Sequence, residues 1–166
     1  DSIIRYPLEI GMINSIANGQ KNEIWVGSSD GLVRVINGPN GDYKLYRKSN
    51  SKSSIVSNYI KDLAWDQSRN MLWIATDNGI SRYIPSEDKF FNIQTTPYAD
   101  SIVENDISEL MVATRSGRLW YTTATEPGIN CLSVDFSSES NSPPPANHFE
   151  HDPIDKKSIA DNNITD

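Results

Sequence analysis

One cysteine and two histidines in 166 residues leave little material for several kinds of chemistry. Cys131 has no partner for an intrachain disulfide, and a closed zinc site wants four ligands that cysteine cannot supply here. Basic residues are also scarce. Lys and Arg total 15 against 22 Asp and Glu, a net charge of −7, so the basic stripe that phosphate binding needs is missing and nucleic acid is excluded as a partner. No apolar run approaches the ~20 residues of a membrane-spanning helix. No signal peptide is visible, because Asp1 opens directly on strand-like sequence; the N-terminus reads as a cleavage boundary rather than a natural start. Helical periodicity is lacking throughout. A Gly-rich phosphate loop, a Ser/His/Asp set and a Cys/His pair are missing as well. No cofactor and no catalysis are therefore expected of this chain.

What the sequence does contain is repetition. Ile24-Trp25-Val26-Gly27-Ser28-Ser29-Asp30-Gly31-Leu32 aligns with Leu72-Trp73-Ile74-Ala75-Thr76-Asp77-Asn78-Gly79-Ile80. Apolar, Trp, β-branched, small, Ser/Thr, Gly and apolar residues recur in the same order. Leu119-Trp120-Tyr121-Thr122-Thr123, with Gly128-Ile129 after two extra residues, is a third copy. The tryptophans lie 48 and 47 residues apart. A second marker keeps step: Ile13, Ile60 and Ile107 are 47 apart, and Ile16, Leu63 and Leu110 each follow three positions later. Ile164 opens a further copy 57 residues on. A period near 47 is that of a propeller or solenoid unit.

Each unit reads as four short strands. In the middle copy, an apolar run over 59–66 meets the turn cluster Asp66-Gln67-Ser68-Arg69-Asn70, and a β-rich run follows over 71–76. Asp77-Asn78-Gly79 is a tight-turn signal, because Asn and Gly tolerate positive φ. Strands over 79–84 and 89–93 flank Pro85-Ser86-Glu87-Asp88. The same reading predicts strands over 12–17, 23–28, 31–37 and 43–47 in the first unit, and over 107–113, 118–123, 129–136 and 147–151 in the third. The run around Trp73 is apolar on both faces, which suits a strand covered on both sides. Stacked blades provide that cover. The predicted fold is an all-β propeller fragment: three four-stranded antiparallel blades at about 12–47, 59–93 and 107–151.

The ends keep the phase. Residues 1–8 read as the last strand of a preceding blade, and 161–166 as the first strand of a following one. Ten extra residues map to 137–146, where Ser-Asn-Ser-Pro-Pro-Pro reads as a loop insertion. Propellers use about 4–8 blades, so three leave the ring open. The expected partner is the rest of a longer propeller or another copy of this chain.

Ser57-Asn58-Tyr59-Ile60-Lys61-Asp62-Leu63, then Asp66 and Leu72-Trp73-Ile74-Ala75-Thr76-Asp77-Asn78-Gly79-Ile80-Ser81-Arg82-Tyr83, resemble the two-component regulator propeller repeat. The resemblance covers essentially the whole chain; it is close in the middle unit, good in the first and degenerate in the third. It implies the extracytoplasmic, periplasmic sensor of a bacterial hybrid two-component system that responds to an oligosaccharide and regulates carbohydrate-utilisation genes. The kinase and membrane modules of such receptors are not in this sequence.

Candidate sites weigh as follows. Trp25, Trp73 and Trp120 suggest a sugar-stacking row, but one repeated position inside apolar runs normally has one structural job, the filling of space between blades. Gly31, Gly79, Ile13, Ile60 and Ile107 are structural repeat positions of the same kind. His148 and His151 invite a metal, yet residues three apart on a strand point to opposite faces. Asp77-Asn78 and Asp161-Asn162-Asn163 lack the D-x-D-x-D-G spacing of a calcium loop. Asn163-Ile164-Thr165 is a glycosylation sequon by pattern only. Ligand-binding residues are not identified by the sequence; Tyr98 and Tyr121 are the better-placed aromatics, and each suits a core equally. The other readings are a protein-interaction scaffold, which lacks its Gly-His and Trp-Asp pairs, and a carbohydrate-active enzyme, which lacks its carboxylates.

Overall fold

The structure is a computed structural model that describes residues 9–36, 42–94, 102, 104–133 and 146–160. Among these, twelve strands form three four-stranded antiparallel sheets, each in simple up-and-down order. The first holds β1 (Ile13–Asn18), β2 (Glu23–Ser28), β3 (Gly31–Ile36) and β4 (Tyr43–Tyr46). The second holds β5 (Ile60–Asp66), β6 (Met71–Thr76), β7 (Gly79–Ile84) and β8 (Lys89–Ile93). The third holds β9 (Ile107–Ala113), β10 (Arg118–Thr123), β11 (Ile129–Ser133) and β12 (Asn147–Phe149). These are three consecutive blades of a β-propeller. No helix occurs among the described residues.

Turn chemistry sets the register of each blade. The Ser28 hydroxyl donates to the Gly31 carbonyl at 2.9 Å and accepts from the Asp30 N–H at 3.1 Å. Thr76 does the same for Gly79 and Asn78, at 2.7 and 3.0 Å. This local bonding explains why Ser or Thr recurs at the end of the second strand. Gly79 adopts φ of +114°, and a Cβ there would lie 2.5 Å from the Ile93 carbonyl oxygen. Only glycine fits. The inner strands share a second device: pairing register shifts between Ile13 and Ser15, again between Ile60 and Asp62, and again opposite Tyr121 and Thr123. A β-bulge thus recurs at one place in every inner strand and re-aims the residue beside it.

Blades stack through two apolar layers. Between blades one and two lie Trp25, Leu32, Tyr46, Ile60, Leu63, Leu72, Ile74, Tyr83 and Phe90. Between blades two and three lie Trp73, Ala75, Ile80, Ile93, Ile107, Leu119, Tyr121 and Leu132. Linker residues Ile55 and Ile102 seal the respective layers. One backbone bond repeats with the period: Gly31 N–H donates to the Asn58 carbonyl at 2.8 Å, and Gly79 N–H to the Asn105 carbonyl at 2.6 Å. Each second hairpin is thereby tied to the entry of the next blade.

Within the described residues the observed strands differ from the predicted ones only at their ends; residue 37 of the expected strand 31–37 and residues 134–136 of the expected strand 129–136 lie outside them. Strand β12 stops at Phe149 instead of 151, because its partner Ile129 begins β11 immediately after the Gly128 turn. Strand β4 stops at Tyr46, whose partner Leu32 follows the Gly31 turn. A strand cannot pair beyond its neighbour's turn. Residues 1–8, 134–145 and 161–166, and with them most of the expected insertion and both flanking strands, lie outside the described residues.

Candidate functional site

The repeat positions occupy three different environments. Trp25 and Trp73 are fully buried between blades, each under an arginine of the neighbouring strand. Arg34 lies 5.4 Å over the Trp25 ring and Arg82 lies 5.9 Å over Trp73. Burial lowers the Arg82 pKa, partly offset by Glu87; Arg34 is also desolvated, but its ion pair with Glu23 holds its pKa above the usual value. Trp120 differs. Its cross-strand partner is Cys131 in place of arginine, and its ring packs on Phe149 at 5.7 Å. Trp120 is only half-buried, because no fourth sheet lies beyond it among the described residues. Ile60 and Ile107 are completely buried, whereas Ile13, on the outer face of blade one, is exposed. Gly31 and Gly79 hold their hairpins as described.

A cavity beside the inner strands β1, β5 and β9 has a volume of about 440 Å³. Asn14, Lys61 and Ser108, the bulge residues of β1, β5 and β9, make up its polar wall with Asp62 and Glu109. Leu110, Met111, Trp120, Tyr121 and Ile129 complete the lining. The polar side chains of this wall are tied to one another's strands. Asn14 donates its amide to the Ile60 carbonyl at 2.7 Å, and Ser15 donates to Asp62 Oδ1 at 2.8 Å. Asp62 Oδ2 accepts the Leu110 N–H at 2.8 Å, and Lys61 pairs with Asp106 at 2.5 Å. The inner strands are therefore laced together by side chains that share one repeat phase. Such a wall offers hydrogen bonds to a polar ligand, with Glu109 exposed at its edge.

A second polar cluster joins blades one and two. Tyr83 donates its hydroxyl to Asp88 Oδ1 at 2.7 Å, and the Tyr46 hydroxyl lies 2.8 Å from that of Tyr83 and 3.1 Å from the same carboxylate oxygen, sharing its one proton between these two acceptors. Lys44 pairs with Asp88 Oδ2 at 2.5 Å. That lysine holds the Asp88 carboxyl below the usual carboxylate range, and Asp88 in turn raises the Lys44 pKa. Burial, then the bonds to Tyr46 and Asp88, pushes the Tyr83 phenol far up. The network is a joint between blades.

The two histidines have separate partners: His148 Nδ1 meets Asn130 Oδ1 at 2.8 Å, and His151 Nδ1 meets the Ile159 carbonyl at 2.8 Å. No group of three or more His, Cys, Asp or Glu able to hold a metal occurs among the described residues. Tyr121 is buried in the second layer and also lines the cavity. Tyr98 and the Asn163 sequon lie outside the described residues. Sequence reasoning missed Asp62, Tyr46, Tyr83 and Asp88. Ser15, Asp62 and Glu109 are spaced 47 apart, so the period that exposed the tryptophans carried a signal for the inner lacing too.

With that geometry in place, the solved structures are informative. Two extracellular domains of hybrid two-component systems from B. thetaiotaomicron superpose with TM-scores of 0.66 and 0.68, each at 24% identity. The matches cover 78% and 84% of this chain, and 18% and 19% of those domains. The chain has the fold of those extracellular domains. It spans less than a fifth of their length. A virginiamycin B lyase from Staphylococcus aureus matches at a TM-score of 0.57 and 14% identity, over 81% of this chain and 42% of the lyase. No protein-family model matches the chain, and no curated protein does.

Proposed function

We propose that the chain is a section of the ligand-sensing propeller of a hybrid two-component sensor, placed in the periplasm. In this reading the assembled receptor responds to an oligosaccharide and regulates carbohydrate-utilisation genes, and the blades described here chiefly build the frame. The observation that carries the reading is the match of most of the chain to extracellular domains of such systems, together with the repeat resemblance. The cleft suits a partial site. Its polar wall can hydrogen-bond sugar hydroxyls, while the surface that would face it belongs to the rest of a ring. Kinase chemistry belongs to other modules, and no catalytic role is assigned to this section, whose Asp62 and Lys61 are committed to strand-lacing bonds.

A split site loses preorganisation, so the section alone should bind glycans weakly or not at all. Calorimetry with one glycan panel, run on the 166-residue chain and on the whole extracytoplasmic region, tests both statements. Tight binding by the section overturns the frame assignment. Silence of the whole region across the panel overturns the glycan assignment, and turnover of any glycan overturns the non-catalytic one.

A further inference from the structure

Nearly all the large apolar side chains that stand exposed belong to the first and third blades, each of which has a described neighbour on one side only. Blade two is flanked on both sides. Among the described residues its one exposed large hydrophobic is Tyr59, at 40%. Tyr59 immediately precedes β5, where the chain enters the inner strand of that blade. Ile60 beside it is completely buried in the layer toward blade one. Side chains alternate along extended backbone, so Tyr59 turns away from that layer. Its surroundings are polar. Asn14 of blade one donates its amide to the Ile60 carbonyl at 2.7 Å, one residue from Tyr59. Lys61, two residues on, pairs with Asp106 of the third blade's entry at 2.5 Å. Asn14 and Lys61 both line the cavity, so Tyr59 stands beside its polar wall.

The repeat sets this position apart as well. Ile13, Ile60 and Ile107 are the same in every copy, whereas the residues before them are Met12, Tyr59 and Asp106. A position that varies beside an invariant one is released from the common scaffold and free to carry a contact of its own. We propose that Tyr59 is the platform on which the ligand of the sensing propeller stacks a pyranose ring. This deepens the sensor reading and rests on it. A pyranose has a flat face of C–H groups, which an aromatic ring covers, while hydroxyls at the sugar's rim reach polar side chains. Asn14 has its amide oxygen to offer such hydroxyls, and the Lys61 ammonium has N–H groups beyond the one aimed at Asp106. The other aromatics of the sequence's repeat suit the task less: Trp25, Trp73 and Tyr121 are buried between blades. Sheets stand on both sides of Tyr59, so its exposure is not owed to an uncovered outer blade.

Calorimetry on the whole extracytoplasmic region, with the glycan panel above, provides the test. For the glycan that the parent binds most tightly, Tyr59→Ala should bind about tenfold or more weakly. Tyr59→Phe keeps the ring, drops the hydroxyl and should bind as the parent does. Both variants should melt with the parent, because an exposed ring adds little to the core. Should the alanine variant melt early, Tyr59→Leu takes its place: it restores apolar bulk without an aromatic face, and it should lose binding to the same extent. Unchanged affinity in the alanine variant, or in the leucine variant that replaces it, overturns the stacking role and leaves the sensor reading standing. A phenylalanine variant as weak as the alanine one also overturns it, since the hydroxyl would then be the contact. Silence of the parent across the whole panel removes the glycan assignment and the stacking role together.

Discussion

Asp62 takes the backbone N–H of Leu110 across the boundary between the second and third blades, at 2.8 Å. Its other oxygen accepts from Ser15, so one carboxylate ties three inner strands. Asp62→Ala leaves both donors without their acceptor and should cost about 1–3 kcal/mol in urea unfolding. Asp62→Asn keeps one acceptor oxygen and should cost less. Equal stability of the alanine variant and the parent would mean that water replaces the carboxylate.

Trp73 and Trp120 share a repeat position but not an environment. Trp73→Ala empties the second apolar layer and should cost about 3–5 kcal/mol. Trp120→Ala, at half-buried surface, should cost no more than about 1–2 kcal/mol. Similar losses would show that exposure does not distinguish the two sites.

Gly79→Ala must hold a side chain at φ of +114° and within 2.5 Å of a carbonyl oxygen. A loss of about 1–3 kcal/mol is expected. Asn78→Ala, one residue away, keeps its backbone bonds and should change stability by no more than about 0.5 kcal/mol. Thermal melts of the two variants side by side give the comparison.

The Asp88 cluster predicts two pH arms. Asp88 titrates lower in the fold than in the unfolded chain, so its contribution is present above the ordinary carboxylate pKa of 3.8 and disappears as pH falls through the folded value. Lys44 and Tyr83 are both raised, so their contributions are present below their unfolded values of 10.5 and 10.0 and decline as pH rises above them. Lys44 and Asp88 are half-exposed, so the acid arm should be shallow and should shrink in high salt. Asp88→Asn should flatten that arm. Melting curves against pH, at low and high salt, would show it; an unchanged acid arm in the variant would assign the effect elsewhere.

The order of strands was readable because it rests on short-range chemistry. Asp77-Asn78-Gly79 forces a hairpin, and Trp73 lies in a run apolar on both faces. Repetition at 47 residues then turned local signals into a stack. The inner lacing was harder to read, because a single Asp62 in a strand looks like a solvated side chain until its acceptor role across blades is seen. Burial differences within one repeat position were not readable at all: Ile13 and Ile60 are identical in sequence terms, and among the described residues only Ile60 has a sheet on the side of the preceding blade. Strand ends shifted for a related reason, since Phe149 stops where Ile129 does.

The bond from each second hairpin to the entry of the next blade has an evolutionary consequence. Because Gly31 meets Asn58 and Gly79 meets Asn105 by the same rule, duplicating or deleting a whole 47-residue period leaves every remaining joint intact. Adding or losing one residue inside an inner strand does the opposite, since it moves the bulge, turns core side chains outward and breaks the lacing at once. Lineages carrying this architecture should therefore change length in whole modules and absorb smaller insertions between strands.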